Sequence, residues 1–193
     1  MMTQWQALKV LAGKRGGQVV ITTMSSAGIW PKLSDSPLDF HYIPSAMGHA
    51  TDLGLGLALA HPQRGVIVLN GDGCMLMNLG SLVTLADQNA NVVLIILDNG
   101  LYEVTGGQPT AGAGRAHFAD LARAADIRRI FTFDALDAWQ AGVDEVLSEP
   151  GPAVVWLKVE GRLGQKTPQP PRLMRQQVER LQKALGIEEF PQS

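Results

Sequence analysis

The chain has 193 residues, of which 46% are hydrophobic and 18% are charged, and its formal net charge at pH 7 is −2. This balance is that of a globular domain, and it gives no electrostatic reason to expect binding to nucleic acid or anionic membranes. The single cysteine excludes an internal disulfide framework and a cysteine-built metal cluster. Without a signal-peptide pattern or an apolar run of bilayer length, we expect a cytoplasmic protein, and the low charged fraction favours a surface partly covered by a partner.

Segments of helical and strand character alternate along the chain. Apolar spacing and composition predict helices over residues 3–14, 45–61, 76–89, 117–125, 135–147 and 174–185. Runs of β-branched and other apolar residues predict strands over residues 18–23, 65–70, 91–97, 128–133 and 153–159. This alternation predicts an α/β fold, a doubly wound and mostly parallel sheet with helices on both faces and right-handed crossovers.

The chain is expected to form one domain with a helical extension. We assign residues 1–165 to the domain and residues 166–193 to a Pro-rich connector and a C-terminal helical arm. Apolar residues recur in the arm at offsets 0, 4, 7 and 11 from Met174, which is the pattern of an amphipathic helix. Two interpretations stay open: the arm caps the core of its own chain, or it holds another subunit.

The helix predicted over residues 45–61 is rich in glycine. Each glycine in a helix interior costs about 1 kcal/mol relative to alanine, so Gly48, Gly54 and Gly56 need a structural reason. Close approach of another backbone is one such reason. The Gly/Ala-rich face of this helix is therefore a candidate surface for packing against a second subunit.

Two predicted strands end in polar residues. The run GVIVLN leads into Gly71-Asp72-Gly73, and NVVLIIL leads into Asp98-Asn99. Ligands bind at the carboxyl ends of strands in such sheets, and the 25 residues between Gly73 and Asn99 fit one strand–helix–strand crossover. An Asp72 carboxylate and an Asn99 amide oxygen suit Mg²⁺ when a diphosphate brings further negative charge, and the flanking glycines let N–H groups approach phosphate. Two ordinary turns are the alternative interpretation.

Gly71-Asp72-Gly73 with Asn99 at this spacing resembles the thiamine diphosphate (ThDP)-binding motif of the decarboxylase, acetolactate synthase and transketolase superfamily. Three segments, SAMGHA, LNGDGCMLMNLGSLVTLA and LDNGLYEVTGGQPTAG, are more narrowly similar to the ThDP-binding subunit of sulfopyruvate decarboxylases and the matching half of phosphonopyruvate decarboxylases. The similarity runs from about residue 5 to residue 160.

The resemblance implies ligands for a metal and a diphosphate. Asp72, Asn99 and the backbone carbonyl of Leu101 would coordinate Mg²⁺. The N–H groups of Gly73 and Cys74 would bind the diphosphate, with Cys74 standing where relatives often carry serine and not acting as a reactive thiol.

A second diphosphate-binding turn is implied at the end of the first predicted long strand, in the segment TTMSS. Met24 stands there in place of an expected glycine, so the hydroxyl groups of Thr23 and Ser25 are the candidate donors. Gly71 and Tyr102 are also expected to contact the cofactor.

The resemblance assigns further roles to the loop after the Asn-Gly turn and to the SAMGHA segment. Glu103 either handles protons or holds a loop over the cofactor; the alternative is a solvated carboxylate. Met47 matches the apolar residue that forces the cofactor into its V shape, although a plain core methionine is the alternative. The backbone carbonyl of Ser45, where relatives carry glycine, would accept a hydrogen bond from the 4′-amino group. His49 would contact diphosphate or substrate, or be a packed or solvated histidine.

The remaining histidines and the basic residues carry less information. His41, His61 and His117 have no partner pattern and are expected at the surface. The sequence shows no arginine cluster near the motifs, and Arg115 is the nearest basic candidate for an anionic substrate.

The resemblance implies one subunit of a 2-oxo acid decarboxylase that acts on sulfopyruvate, phosphonopyruvate or a similar small substrate. The pyrimidine-binding domain that supplies an activating glutamate in relatives matches no part of this chain, so we expect a separate α-type subunit and a hetero-oligomer. Two alternatives stay open: the β subunit of a 2-oxo acid oxidoreductase, against which the single cysteine argues, and a non-catalytic cofactor-binding subunit.

Overall fold

The structure is a computed structural model, and it describes residues 1–187. The strands are β1 (Met2–Thr3), β2 (Val19–Thr22), β3 (Asp39–His41), β4 (Val66–Gly71), β5 (Val92–Asp98), β6 (Leu101–Tyr102), β7 (Gln108–Pro109), β8 (Arg129–Phe133) and β9 (Ala153–Glu160). The helices are α1 (Gln4–Lys14), α2 (Met24–Ile29), α3 (Ala50–Ala60), α4 (Asp72–Leu76), α5 (Gly80–Gln88), α6 (Phe118–Ala124), α7 (Leu136–Ser148) and α8 (Met174–Ala184). Short 3₁₀ helices cover Trp30–Lys32 and Glu103–Thr105. Residues 188–193, the end of the predicted arm, lie outside the described residues.

Seven strands of the described chain form one parallel sheet. Its order is β3-β2-β4-β5-β9. Strand β9 also pairs with β8, along residues 153–157, and with β1, at residues 159–160. The register places Val68 beside Leu94 and Gly71 beside Leu97, so β4 and β5 end side by side. The predicted fold class, a parallel sheet with helices on both faces, is confirmed.

Alternate residues of the central strands build two separate cores. In β4, Val66 and Val68 pack with α3, α5, α6 and α8 on one face of the sheet, whereas Ile67 and Leu69 pack with α1 and α7 on the other. Because both faces are covered, these strands are apolar along most of their length and turn polar only near their carboxyl ends, so their sequences show no polar alternation. No helix within residues 1–187 is long and apolar enough to span a bilayer.

The helix predicted over residues 45–61 begins only at Ala50, so its first turn is a correction. Gly48 has φ +89°, which a right-handed helix does not allow, and residues 45–49 therefore form a loop. Gly54 has a clear packing role, because a Cβ there would lie 2.4 Å from Val68 Cγ2. The Gly54 side of the helix therefore packs on the chain's own sheet, whereas Gly56 on the other side meets nothing within 4 Å, and packing of that outer side against a second subunit stays a prediction.

The single helix predicted over residues 76–89 is also wrong, because two helices occupy this region. α4 begins at Asp72 itself, and α5 begins at Gly80. Between them the Asn78 amide donates to Asp52 Oδ2 at 2.9 Å, which ties the break to the start of α3. Glycine at position 80 lowers the cost of interrupting the helix there.

The amphipathic helix of the arm packs on its own chain along edge strand β3, in agreement with the first of the two interpretations left open for the arm. The Gln177 side chain accepts from the His41 N–H at 2.8 Å and donates to the His41 carbonyl at 3.3 Å, so it pairs with the strand edge as a neighbouring strand would. Asp35 forms ion pairs with Arg172 and Arg180 at the ends of the same contact.

The expectation that His41 lies at the surface is wrong. The residue is buried, its Nδ1 lies 2.9 Å from Thr22 Oγ1, and burial lowers the pKa of its imidazole. The strand that carries it is covered by α8, which removes the ring from solvent. His117 is exposed and His61 is half-buried.

Candidate functional site

A cleft opens at the carboxyl ends of β2 and β4, where the sheet order reverses. The chain runs outward from β2 to β3 and then returns to β4 on the opposite side, which makes this a topological switch point of the kind that binds ligands in α/β sheets. The cleft is lined by Gln4, Thr23, Met24, Ser25, Ser26, Met47, Gly71, Asp72, Gly73, Cys74, Met77, Leu97, Asn99, Leu101, Tyr102, Glu103, Val104 and Thr105. Every residue predicted to contact cofactor or metal lies on these walls except Ser45 and His49.

Asp72 is the buried carboxylate at the centre of this cleft, with 2% of its surface exposed. Burial, with a smaller contribution from the nearby Asp98, raises its pKa to about 6 against the lowering effect of the Thr110 hydroxyl. That hydroxyl donates to Asp72 Oδ2 at 2.8 Å. A desolvated carboxylate beside a second acid is a place where a divalent cation offsets a large electrostatic cost.

The Asn99 turn stands next to Asp72 because β4 and β5 end in register. Asn99 Oδ1 accepts the Leu101 N–H at 2.9 Å, an Asx turn that fixes the amide oxygen and leaves it one further lone pair. Asp98 is turned away to Trp156 Nε1 at 2.8 Å. Asp72 and Asn99 are thus the two side chains of these strand ends that line the cleft.

The β6–β7 hairpin covers the Gly-Asp-Gly turn. Tyr102 lies so close over Gly73 that a Cβ at Gly73 would be 2.6 Å from the phenol ring, which explains the glycine at this position. The hairpin also leads to Thr110, which is buried and bonded to Asp72. Sequence reasoning missed Thr110, since a threonine in a Gly-rich loop carries no signal until the loop is folded.

Cys74 and the loop before α3 hold Met47 at the mouth of the cleft. The Gly48 N–H donates to Cys74 Sγ at 3.2 Å, and burial raises the pKa of the thiol, which therefore stays protonated. Met47 is 53% exposed beside the equally uncovered Met77. An apolar side chain held in this way has space for a planar ligand group against it.

The turn after β2 forms the opposite wall. Met24 has φ +45°, the left-handed conformation that favours the glycine expected at this position. The Thr23 hydroxyl donates to the Leu69 carbonyl at 3.1 Å, which ties β2 to β4, and the Ser25 hydroxyl donates to Glu103. Both predicted hydroxyl donors lie at the cleft and are engaged within the protein.

Glu103 is buried in a network that joins three distant segments. It accepts from Gln4 Nε2 at 3.2 Å, from the Ser25 hydroxyl, and from the Arg162 N–H at 2.7 Å. These partners come from α1, from α2 and from the segment after β9. The solvated alternative considered for Glu103 is therefore wrong, and its carboxylate fastens the wall of the cleft.

Three predicted contacts lie away from the cleft. His49 Nδ1 bonds with Asp52 Oδ2 at 2.6 Å at the start of α3, and its side chain is exposed. Ser45 is half-buried outside the lining, and its Oγ has no partner in the described chain. Arg115 is exposed and does not line the cleft, whereas Lys32, Arg162 and Lys166 lie beside it in a second cleft that the sequence did not reveal.

The walls fit a diphosphate with a hard cation. A Cβ at Gly71 would meet nothing within 4 Å, so there is open space above the turn. The oxygen atoms on offer are one carboxylate, one amide and one backbone carbonyl, from Asp72, Asn99 and Leu101, a set suited to Mg²⁺ that also binds phosphate. Groups of three acidic, histidine or cysteine side chains that would hold a metal alone do not occur within residues 1–187.

A parallel sheet with a Gly-Asp-Gly turn and an Asn-Gly turn at the carboxyl ends of two neighbouring strands is typical of a diphosphate-binding domain of the α/β class. Residues 21–157 match the thiamine pyrophosphate enzyme family, in its C-terminal TPP binding domain. The chain belongs to this family, and the resemblance noted in the sequence is confirmed.

Individual relatives agree with this membership. Phosphonopyruvate decarboxylase of Streptomyces viridochromogenes is 38% identical over 146 residues, which cover 75% of this chain and 36% of that protein. Sulfopyruvate decarboxylase subunit beta of Methanococcus maripaludis is 30% identical over 160 residues, which cover 81% of this chain and 84% of that subunit. The chain thus spans about a third of the phosphonopyruvate decarboxylases it matches.

A solved structure has the same fold. The thiamine diphosphate-dependent 4-hydroxybenzoylformate decarboxylase of Rhodococcus jostii RHA1 superposes with a TM-score of 0.65 at 18% identity. The match covers 85% of this chain and 33% of that chain. At this identity the similarity establishes the fold alone.

Proposed function

We propose that this chain is the diphosphate-binding subunit of a ThDP- and Mg²⁺-dependent 2-oxo acid decarboxylase that acts on sulfopyruvate, phosphonopyruvate or a similar small acid. The observation that carries the proposal is the buried Asp72 beside the Asn99 turn, inside the region that matches the family. Asp72, Asn99 and the Leu101 carbonyl hold the cation, and Gly73 and Cys74 N–H groups hold the diphosphate. Bound ThDP supplies the carbanion-stabilising chemistry of decarboxylation.

The protein's own residues position and enclose this group. Met47, on the wall of the cleft, would support the cofactor, and Ser45, two residues earlier and outside the lining, would offer its backbone carbonyl. Glu103 keeps the cleft wall in place through its three hydrogen bonds. The half-exposed Met47 and Met77 form the edge of the cleft. We propose that a separate pyrimidine-binding subunit covers this edge and completes the site in a hetero-oligomer.

Calorimetry with ThDP, with and without Mg²⁺, tests the metal assignment. The Asp72→Ala variant is expected to lose Mg²⁺-dependent binding, because it removes the only carboxylate at the cation position described above. Asp134→Ala, which changes an exposed aspartate far from the motif, is the matched control and should bind as the parent chain does. Unchanged affinity in Asp72→Ala contradicts the assignment.

A reconstitution assay tests the subunit claim. The purified chain is expected to bind cofactor and to decarboxylate no 2-oxo acid at ordinary enzymatic rates, whereas the pair co-purified from the source cells should release CO₂. Full turnover by the chain alone contradicts the need for a partner. Dye reduction that depends on coenzyme A would instead identify an oxidoreductase.

A further inference from the structure

A second cleft lies directly beside the cofactor cleft and carries positive charge. It is lined by Lys32, Arg162, Gln165 and Lys166 among others, and it shares Gln4, Ser25, Glu103 and Val104 with the first cleft. The two spaces therefore have a common wall, built on the buried Glu103 network.

The backbone that carries these cations is fixed in place. The Arg162 N–H donates to Glu103 Oε1 at 2.7 Å, and the Thr167 hydroxyl donates to the Val104 carbonyl at 3.3 Å. Pro168 packs against Gly28, where a Cβ would lie 3.0 Å from the proline ring. The segment that presents Arg162 and Lys166 is thus pinned at both ends.

Lys32 approaches from the other side. It ends the 3₁₀ helix Trp30–Lys32, which is anchored by the fully buried Trp30. The three cationic groups come from two chain segments that are far apart in the sequence, so no arginine or lysine cluster is visible before folding.

The charge of this cleft is not neutralised within the described chain. Seven of the other nine arginines form an ion pair or a hydrogen bond through the guanidinium within residues 1–187. Lys32, Arg162 and Lys166 form no ion pair with an acidic group of these residues. Against the one carboxyl group in the wall, Glu103, three cations leave a formal excess of two positive charges. That excess matches a dianion.

We propose that this basic cleft binds the tetrahedral anionic group of the substrate, a phosphonate in preference to a sulfonate, while the reacting end lies over the shared wall in the cofactor cleft. This inference rests on the proposed function for the identity of the substrate. A guanidinium presents a planar fork to two oxygens of such a group, and the two ammonium groups add charge without fixed direction. The cations are solvent-exposed, so binding is weak and falls with ionic strength.

The test uses the full chain and small probes that lack a 2-oxo acid. Methylphosphonate, methanesulfonate and acetate are titrated by NMR at low salt, with and without ThDP and Mg²⁺, so that occupancy of the diphosphate site is controlled separately. The variants are Arg162→Gln, Lys166→Gln and their combination. Lys183→Gln, at the exposed end of α8, is the matched control for loss of one surface charge.

Methylphosphonate is expected to bind saturably, more tightly than methanesulfonate and acetate, whether or not ThDP is present. The double variant should weaken it on the order of 10-fold, equal to about 1.4 kcal/mol, and Lys183→Gln by less than about 2-fold. Absence of saturable binding, or equal binding in the double variant, overturns the proposal. Because cofactor binding is measured independently, loss of ThDP binding with phosphonate binding retained would reject the proposed function and keep the basic cleft.

In the reconstituted complex the same variants separate binding from chemistry. KM for a 2-oxo acid with an anionic tail should rise about 10-fold in the double variant, while pyruvate, which has no such tail, should be decarboxylated with unchanged kinetic constants. An equal loss for both substrates contradicts a role in recognising the anionic group.

Discussion

At the scale of one residue, the buried Asp72 carboxylate is expected to lower the free energy of unfolding of the chain at neutral pH. Its carboxylate is buried without an ion-pair partner in the described chain, and burial raises its pKa from the ordinary 3.8 to about 6. The folded state therefore favours the protonated form. A cation bound as we propose would favour the ionised form and so stabilise the folded state.

For the chain without cofactor, Asp72→Asn is expected to raise the free energy of unfolding above pH 6. The folded pKa is higher than the unfolded one, so the parent chain loses stability as pH rises from about 4 to about 6, and the neutral amide does not. At about 1.4 kcal/mol per pH unit, the free energy of unfolding of the variant exceeds that of the parent chain by up to about 3 kcal/mol at pH 8. Below about pH 4 the two free energies become equal. Denaturant unfolding across this pH range measures it.

The control for this experiment is Asp134→Asn, in which an exposed side chain changes in the same way. It should leave the free energy of unfolding within about 0.5 kcal/mol of the parent at each pH. A variant at position 72 that is less stable than the parent at pH 8 would mean that the carboxylate is well solvated or paired.

Glu103 raises a second question at this scale, because its carboxylate is suited both to proton transfer and to fastening the wall. Glu103→Gln keeps the shape, but its NH₂ group cannot accept from Gln4 or Ser25. We expect the free energy of unfolding to fall by about 1–3 kcal/mol, as for a buried donor left without an acceptor. Thermal unfolding of the chain alone measures this without any activity assay.

Glu145→Gln, on the exposed side of α7, is the corresponding control and should be neutral. If Glu103→Gln leaves stability unchanged while turnover of the reconstituted complex is lost, the residue acts in proton transfer rather than in holding the wall.

At the scale of elements, the contrast between two glycines of α3 shows which of them packing requires. Gly54 faces the sheet, where a Cβ would lie 2.4 Å from Val68, whereas Gly56 faces open space. Gly54→Ala is expected to destabilise the chain by about 1–3 kcal/mol through overpacking. Gly56→Ala should stabilise it by up to about 1 kcal/mol through helix propensity. Urea unfolding of both variants measures the difference, and equal effects would contradict the close helix–sheet contact.

Elements with strong local signals could be predicted from the sequence, and others could not. The runs at β4 and β5 were recognised because strands buried on both faces are apolar throughout. The edge strand β3 has only three residues and depends on Gln177 of α8, 136 residues away from His41, so no local pattern announces it. The helix predicted over residues 45–61 does not include residues 45–49, because Gly48 adopts a positive φ, which the composition of the segment does not indicate.

The residues of the candidate site also fall into those that the sequence predicts and those that it does not. Asp72 and Asn99 could be predicted because each directly follows a strand, and parallel strands bring their ends together. Thr110 and the cations Arg162 and Lys166 could not, since they reach the site through loops whose path is set by tertiary contacts. Site residues that directly follow a strand can thus be predicted from the sequence, whereas site residues on loops can be identified only from the folded structure.

At the scale of the whole molecule, the open side of the cofactor cleft is where a partner subunit is expected. Met47 and Met77 are 53% and 49% exposed there and both line the cleft, so they form an exposed apolar edge of the kind that marks interaction sites. Met75, two residues before Met77, is fully buried in the core on one face of the sheet. The reactivity of these three methionines towards an oxidant therefore reports whether a partner covers this edge of the cleft.

Oxidation by dilute peroxide, read by mass spectrometry, is expected to convert Met47 and Met77 to sulfoxides in the isolated chain and to spare Met75. Assembly with the pyrimidine-binding subunit should protect Met47 and Met77, because the partner removes them from solvent, and should leave Met75 unreactive throughout. ThDP and Mg²⁺ alone should protect Met47 more than Met77, because we propose that the cofactor lies against Met47. Equal reactivity of Met47 and Met77 in the free chain and in an active complex would place the partner on another face of the molecule.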